Sequence, residues 1–441
     1  MSAAASLGVD EVTLVPQTNE EHAKLCRREF LIMSVAFGIN HAAVTTPILY
    51  ASTVLTNSAG QGSNAVLYGM TLIVSLFFSS LLHSLFGSKR GLTVAMFFYS
   101  LYVALFALAS SLCDITTQDG SCEEGATLQL PIALVAACLG GCGAGLLWTC
   151  QGAYFAHISE ELATAESTAK ELVTANLSST FATVFLSMEC AIRFLTTLLT
   201  NRHFHIVLSY PVVFCILSAL AFLSTCVFQA LATGMEAKQP PAGARSACTK
   251  MLAAIDLWQD PKLWLLQTTN LTFGFAAAWY GGYVNRNIVS EALNPTVIGL
   301  LGSLLSGLAA LLSFLLGKVA ARCGKSVILI LGAISFLCLG IGSKFVGTPA
   351  EWGWGVLLFP CFQGIGRAVY ESTNKAIFAD FFPGPKSPGA FANVFVFGTG
   401  ASTVAFILGS TNATTYELYF LIAFAALTYP CYALAKLLTS R

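Results

Sequence analysis

The sequence predicts an all-α membrane protein with twelve transmembrane helices in two six-helix halves. Of its 441 residues, 56% are hydrophobic and only 10% are charged, whereas a soluble globular domain carries about 25% charged residues. Apolar stretches recur along the chain at the length of about 20 residues that crosses a bilayer as a helix. The longest polar connection, 234–260, leaves six apolar stretches on either side of it.

The twelve spans and their connections divide the chain. The polar tail, 1–28, precedes an apolar stretch of about 27 residues, which is too long for a cleavable signal with a core of roughly 7 to 15 residues. We therefore expect a cytosolic tail, a six-helix bundle at 29–233, a cytosolic linker at 234–260 and a second bundle at 261–438. The predicted spans are 29–55, 66–87, 91–113, 129–156, 170–200, 205–233, 261–286, 296–317, 325–347, 353–380, 389–410 and 416–438.

The positions of the basic residues predict the orientation. Cytoplasmic loops retain Lys and Arg. With the N-terminus inside, the cytoplasmic segments hold sixteen Lys and Arg, and the opposite side holds three, Arg202, Arg286 and Lys344. Both termini are thus predicted to be cytosolic, in either the plasma membrane or an internal one.

Two covalent features are predicted on the outer side. Cys113 and Cys122 flank an acidic loop and would form a disulfide if that loop meets an oxidising compartment. Asn412 opens the sequon Asn412-Ala413-Thr414, a pattern that accepts N-linked glycans and also occurs often by chance. Most of the 14 cysteines lie in apolar runs and form neither a CxxC pair nor a Cys/His cluster, so we expect no metal site and no cofactor.

The fourth span is rich in glycine. Gly140, Gly141, Gly143 and Gly145 precede Trp148, Gln151 and Tyr154. Small residues let membrane helices approach closely, which predicts an inner packing helix. The last three residues lie at three-residue intervals on one face, where they serve either as cavity wall and ligand or as packing contacts.

Short basic motifs follow spans two and eight. The first has Gly87, Lys89 and Arg90, and the second has Gly317, Arg322, Gly324 and Lys325. Together with the division into six and six spans, these motifs resemble the major facilitator superfamily. Ser84 and Ala321 stand where that superfamily usually has an acidic residue, so the alternative is a pair of basic loops set by topology alone.

A narrower resemblance rests on spans four and ten. GAGLLWTCQGAYF in span four is similar to the Gly-rich, Trp-x-x-Gln, Tyr signature of the UNC-ninety-three-like family, a branch of the same superfamily. GIGRAVYESTNKAIFADFFPG and the following AFANVFVFGTGAS resemble its second-half pattern. The resemblance implies the major facilitator fold, with spans one, four, seven and ten around a central cavity. It also implies either transport or a role as an accessory subunit of channels or receptors.

Span ten carries the clearest ionisable set. Gln363, Arg367, Glu371 and Lys375 are spaced by four and share one helical face. Charged groups inside a membrane are costly and therefore indicate function by default. Arg367 is predicted to hold an anion and Glu371 to exchange a coupled proton. The alternative is a self-neutralising ladder.

Three other spans carry polar candidates. Glu189 and Arg193 are four apart in span five and predict an intramembrane ion pair. Asn40 and His41 in span one, and Gln267 and Asn270 in span seven, are candidates for the cavity; helix-to-helix hydrogen bonds are the alternative role for each.

These features favour a membrane protein without catalysis. The chain has no phosphate-binding loop, HExxH or GxSxG motif, and its balanced charge gives no reason to expect nucleic acid as a partner. We predict a secondary transporter of an ion or small solute, with or without a coupled proton, embedded in the lipid bilayer. The alternative is a non-transporting accessory or trafficking partner of an ion channel or membrane receptor.

Overall fold

The computed structural model describes residues 18–113, 122–168, 170–200, 207–233, 255–382 and 386–439. Twelve membrane helices can be numbered in this part of the chain. The tenth combines two α-helical pieces that a π-helical turn joins. The helices are α1 Asn19–Val54, α2 Asn57–Ile73, α3 Ser79–Leu112, α4 Cys122–Ala165, α5 Lys170–Thr200, α6 Tyr210–Leu231, α7 Pro261–Ala278, α8 Ile298–Cys323, α9 Lys325–Lys344, α10 Leu358–Val369 with Lys375–Phe381, α11 Ser387–Ser410 and α12 Thr414–Thr439.

Ten helices in the described ranges are long and apolar enough to cross a membrane. One of them, α2, runs on into the π-helical stretch Val74–Phe78. The two remaining spans, α7 and α10, also contain π-helical stretches. The π-helical stretch Trp279–Val289 continues α7, and the π turn Tyr370–Asn374 divides α10. π-helical turns inside helices are frequent at functional sites. The predicted fold class is confirmed.

Glycine forms a kink inside α3 and the connection between α8 and α9. Gly87 has φ 73° and ψ −179°, and Gly324 has φ 86° and ψ 154°. Only glycine adopts this backbone region at low cost. The two glycines of the basic motifs therefore interrupt the helical backbone, one in each half. The side chains of Gly317 and Arg322 lie outside the described residues.

The glycine-rich part of α4 lies against α2 and α3, as the sequence predicts. A Cβ on Gly141 would lie 2.6 Å from the backbone oxygen of Leu67, and one on Gly143 would lie 3.0 Å from the backbone oxygen of Ala95. Larger residues would push these helices apart, so the glycines allow the close packing of the first half.

The two halves meet along two pairs of helices. Helix α5 packs on α8, and α2 packs on α11. Within the halves, α1 packs on α5 and α6, while α7 packs on α11 and α12. A space remains between the halves, and α1, α4, α7 and α10 each contribute to its wall.

At the C-terminal end of α1, hydrogen bonds close the boundary between the halves. Ser52 Oγ donates to the backbone oxygen of Gly281 at 2.7 Å, and Arg286 Nη1 donates to that of Ser52 at 2.7 Å. The Gly299 amide donates to the Tyr50 hydroxyl at 2.6 Å. We call these three contacts the Ser52 seal. The π-helical continuation of α7 supplies two of its five residues.

Two predicted covalent features lie near this end. Cys113 is disulfide-bonded, but the side chain of Cys122 lies outside the described residues, so the pairing of the two stays a prediction. Asn412 is exposed in the turn between α11 and α12, with φ 58°. Its Oδ1 accepts a hydrogen bond from Asn57 Nδ2 at 3.1 Å, which adds another contact between the halves.

Candidate functional site

A cavity of about 250 Å³ lies between the two halves. Both halves line it, through α1 to α5 on one side and α7, α8, α10 and α11 on the other. Five residues predicted from the sequence to lie in a substrate cavity are in its wall, and so are both members of the predicted intramembrane ion pair. These seven residues are His41, Trp148, Glu189, Arg193, Gln363, Arg367 and Glu371.

An ion pair joins the halves at the cavity. Arg367 of α10 donates from Nη1 to Glu189 Oε1 at 2.8 Å and from Nη2 to Glu189 Oε2 at 2.9 Å. Glu189 lies on α5, and its side chain is fully buried. Two parallel hydrogen bonds of this kind are among the strongest and most directional polar contacts in proteins.

Glu189 has a second arginine on its own helix. Arg193 Nη1 lies 2.5 Å from Glu189 Oε1 and also donates to Ser306 Oγ of α8 at 2.7 Å. The Ser306 hydroxyl in turn donates to Glu189 Oε1 at 3.0 Å. Burial of an unpaired ion costs several kcal/mol. Two guanidinium groups avoid that cost for the buried Glu189 carboxylate. We call Glu189, Arg193 and Arg367 the charged triad.

Glu371 lies one turn beyond Arg367 on α10, within the π turn. Its Oε2 accepts a hydrogen bond from Lys375 Nζ at 2.6 Å, and the Lys375 side chain is 46% exposed. Of the four residues spaced along α10, Glu371 and Lys375 form the predicted ladder contact. Arg367 reaches across to the other half instead.

Aromatic rings form much of the remaining wall. Tyr68 of α2 stacks on Phe406 of α11, with ring centroids 5.6 Å apart. Phe273 of α7 stacks on Tyr370 of α10, with centroids 3.7 Å apart. All four residues line the cavity. The cavity thus has a charged side on α5 and α10, and aromatic faces on α2, α7, α10 and α11.

Four polar atoms in the described wall have no hydrogen-bond partner. They are His41 Nδ1, Arg193 Nε, Gln363 Oε1 and the Tyr280 hydroxyl oxygen. The His41 ring stacks on Phe37 at 5.4 Å, with the Trp148 ring edge-on at 5.3 Å. An unsatisfied buried polar atom costs about 1 to 3 kcal/mol, so a ligand or water that reached these atoms would be stabilised by them.

Three residues predicted for the cavity lie in hydrogen-bonded contacts outside its wall. Asn40 Nδ2 donates to the backbone oxygen atoms of Met96 and Ala221 at 3.2 and 3.0 Å, which ties α1 to α3 and α6. Asn270 Nδ2 donates to Gln267 Oε1 at 2.6 Å and its Oδ1 accepts from Asn374 Nδ2 at 2.9 Å, which ties α7 to α10.

Two α4 residues also lie outside the cavity lining. Gln151 is buried. The Tyr154 hydroxyl donates to Glu29 Oε2 at 3.0 Å, and the same oxygen accepts the Thr233 amide at 3.0 Å. Glu29 is fully buried, so it connects α1, α4 and the end of α6. Of the predicted face of α4, the structure places only Trp148 in the cavity wall.

Sequence reasoning missed the aromatic walls and the partner of Arg367. Spacing along one helix indicates which residues share a face, but Glu189 and Arg367 are 178 positions apart. Tyr68 and Phe406 are single aromatic residues in apolar spans and give no local signal. Glu29 was detectable as a charge at the start of the first span.

Comparisons with known proteins agree with this architecture. No protein-family model matches the chain. Protein unc-93 homolog A of Bos taurus is 23% identical over 455 residues, which cover 93% of this chain and 92% of the relative.

Two solved structures share the fold. A D-xylose–proton symporter aligns with a TM-score of 0.63 at 12% identity, covering 92% of this chain and 96% of the symporter. The nucleoside transporter NupG aligns with a TM-score of 0.60 at 11% identity, covering 93% of this chain and 99% of the transporter. The match along nearly the whole chain and the shared fold confirm the resemblance found in the sequence: the chain is similar to UNC-93 homolog A and is a multi-pass membrane protein with the major facilitator fold.

Proposed function

We propose that this protein is a secondary transporter that moves a small solute across the membrane by alternating access. The observation that carries the proposal is the cavity between the halves, because the charged triad in its wall draws on both of them. A binding site built from two rigid halves changes its access when the halves rock against each other.

The moving units would be the bundles 29–233 and 261–438, with 234–260 as their linker and 1–28 as a tail. The described part of the linker is 255–260. The distribution of basic residues supports an orientation with both termini and the linker in the cytosol. The Ser52 seal then closes the outer end of the cavity, and the solute would enter or leave from the cytosolic end.

The cross-half ion pair supports a gated cycle. Opening the outer end requires the Ser52 seal to break and the contact between α5 and α10 to change. Glu189 would keep Arg193 and Ser306 as partners when Arg367 moves away, so the carboxylate stays compensated throughout. The related symporter and nucleoside transporter support small solutes as the substrate class, by analogy of fold alone.

Uptake into proteoliposomes tests the proposal. Vesicles with the purified protein would be incubated with a mixture of small organic ions, sugars and nucleosides, and the trapped compounds would be identified by mass spectrometry. We expect at least one compound to accumulate above the level in protein-free vesicles. The Arg367→Gln variant should lose that uptake, and Glu417→Gln, a buried carboxyl outside the cavity lining, should retain it.

If the protein is instead a non-transporting accessory subunit of a channel or receptor, the opposite result is expected. A regulatory subunit would take up none of these compounds under several ion gradients while it co-purifies from native membranes with one channel or receptor in a fixed ratio. That pair of results would refute transport.

A further inference from the structure

We propose that the cavity binds a small organic monoanion with a planar apolar body, and that the anionic group of this ligand competes with Glu189 for Arg367. The inference rests on the proposed function in one respect, the assignment of this cavity as the substrate site. It adds the chemical class of the substrate and the protein group that the substrate displaces.

The charges around the cavity leave one positive charge in excess. The charged triad contains two guanidinium groups and one carboxylate, a net charge of +1. Glu371 is offset by Lys375, so that pair adds none. A buried site with an unbalanced charge favours a ligand of the opposite sign, which here is a monoanion.

The charged triad also has N–H donors that are not used in its own contacts. Each guanidinium carries five N–H donors, and the buried Arg193 Nε has no partner. If a ligand carboxylate takes the paired donors of Arg367, Glu189 keeps Arg193 and Ser306. The exchange replaces one carboxylate by another and leaves no ion without a counter-charge.

The rest of the wall suits an apolar, planar body. The stacked pairs Tyr68–Phe406 and Phe273–Tyr370 present rings from both halves, and Trp148 lies edge-on to His41. Aromatic side chains contact other rings favourably in offset and edge-on geometries. The volume of about 250 Å³ lies below the roughly 300 to 1,000 Å³ of drug-sized pockets, which restricts the ligand to small molecules.

Calorimetric titration of the full chain in nanodiscs tests the class directly. The probes are benzoate, benzamide as its neutral isostere, benzylammonium as a cation of similar shape, and acetate as an anion without a ring. We expect benzoate to bind at least about tenfold more tightly than each of the other three. Equal affinity for benzoate and benzamide, equal affinity for benzoate and acetate, tighter binding of benzylammonium, or no binding of benzoate would each overturn the proposal.

Variants test the competition with Glu189. Glu189→Gln removes the competing charge, and we expect benzoate to bind several-fold more tightly and to raise the melting temperature of this variant more than that of the unmodified protein. Arg367→Gln should weaken benzoate binding about tenfold or more. Glu417→Gln makes the same substitution at a buried position outside the cavity lining and should leave the affinity unchanged. Weaker binding by a folded Glu189→Gln protein would contradict the competition.

Binding and transport fail in different ways in these tests. Selective benzoate binding without uptake of any solute would support the assigned ligand class and refute transport. Uptake of solutes that are all neutral or cationic, together with no benzoate binding, would support transport and refute the class.

Discussion

Arg367 of α10 and Glu189 of α5 form a two-point ion pair across the boundary between the halves, with N–O distances of 2.8 and 2.9 Å. Arg193 holds the same carboxylate from within α5. Glu189 is therefore the common partner of both arginines. This relationship makes the two halves depend on one another at the central cavity.

The first prediction follows from this asymmetry. Glu189→Gln leaves two guanidinium groups without a counter-charge and should lower the free energy of unfolding by about 3 to 5 kcal/mol. Arg367→Gln leaves Glu189 with Arg193, so the loss should be smaller, about 2 kcal/mol. Denaturation of the purified variants in one detergent measures both.

A double-mutant cycle isolates the pair. The coupling energy between Glu189→Gln and Arg367→Gln should be about 1 to 3 kcal/mol, whereas Glu189→Gln and Arg286→Gln, which share no contact, should add within about 0.5 kcal/mol. Additive effects for the first pair would show that the ion pair does not form.

Features of the site that depend on neighbours within one helix could be predicted from the sequence, and features that depend on contacts between distant helices could not. Periodicity within a helix identified Gln363, Arg367 and Glu371 as one face, and all three line the cavity. The interruption of α10 by a π turn and the pairing of Arg367 with α5 depend on how helices from opposite halves pack. One sequence without tertiary contacts gives no signal for either.

Helix α4 shows the same difference between local and long-range contacts. Its glycines indicated close packing because the missing side chains act locally, through the backbones of α2 and α3. Tyr154 shares a sequence face with Trp148, yet its hydroxyl lies on Glu29. The neighbours of a helix as long as α4 differ along its length. Residues on one face of it, such as Trp148 and Tyr154, therefore contact different partners.

The second prediction concerns the turn glycines. Gly87→Ala and Gly324→Ala place a side chain at φ 73° and 86° and should each destabilise the protein by about 1 to 3 kcal/mol. Gly152→Ala is the matched control, because a Cβ at this α4 position meets nothing within 4 Å and alanine favours a helix by about 0.5 to 1 kcal/mol. Thermal unfolding of the three variants measures the difference, and equal stability of all three would contradict the turn geometry.

The third prediction concerns the buried Glu29. Tyr154→Phe removes the hydroxyl that donates to its carboxylate and should cost about 1.5 to 3 kcal/mol, the usual range for a hydrogen bond to a charged group. Tyr419→Phe, at a side chain that is 59% exposed, should change stability by less than about 0.5 kcal/mol. Chemical denaturation compares the two variants. An equal, small effect of both would mean that Glu29 is not held by Tyr154.

The fourth prediction concerns the Ser52 seal. Arg286→Gln removes the hydrogen bond to the Ser52 backbone oxygen and weakens the contact that closes one end of the cavity, by about 1 to 2 kcal/mol. A loss of this size shifts the population toward the conformation open at that end by about tenfold. The rate at which an impermeant thiol reagent modifies a cysteine at Thr45, in the cavity wall, should rise from the side of the seal. An unchanged rate would show that Arg286 does not hold the cavity closed.

Alternating access of the central cavity is tested most directly by the same cysteine in the otherwise unmodified protein. Thr45→Cys would be exposed to the reagent from each side of sealed vesicles, and peptide mass spectrometry would separate its modification from that of the native cysteines. We predict modification from both sides, slower from the side of the Ser52 seal. Modification from one side only, with none from the other even in Arg286→Gln, would contradict an alternating cavity.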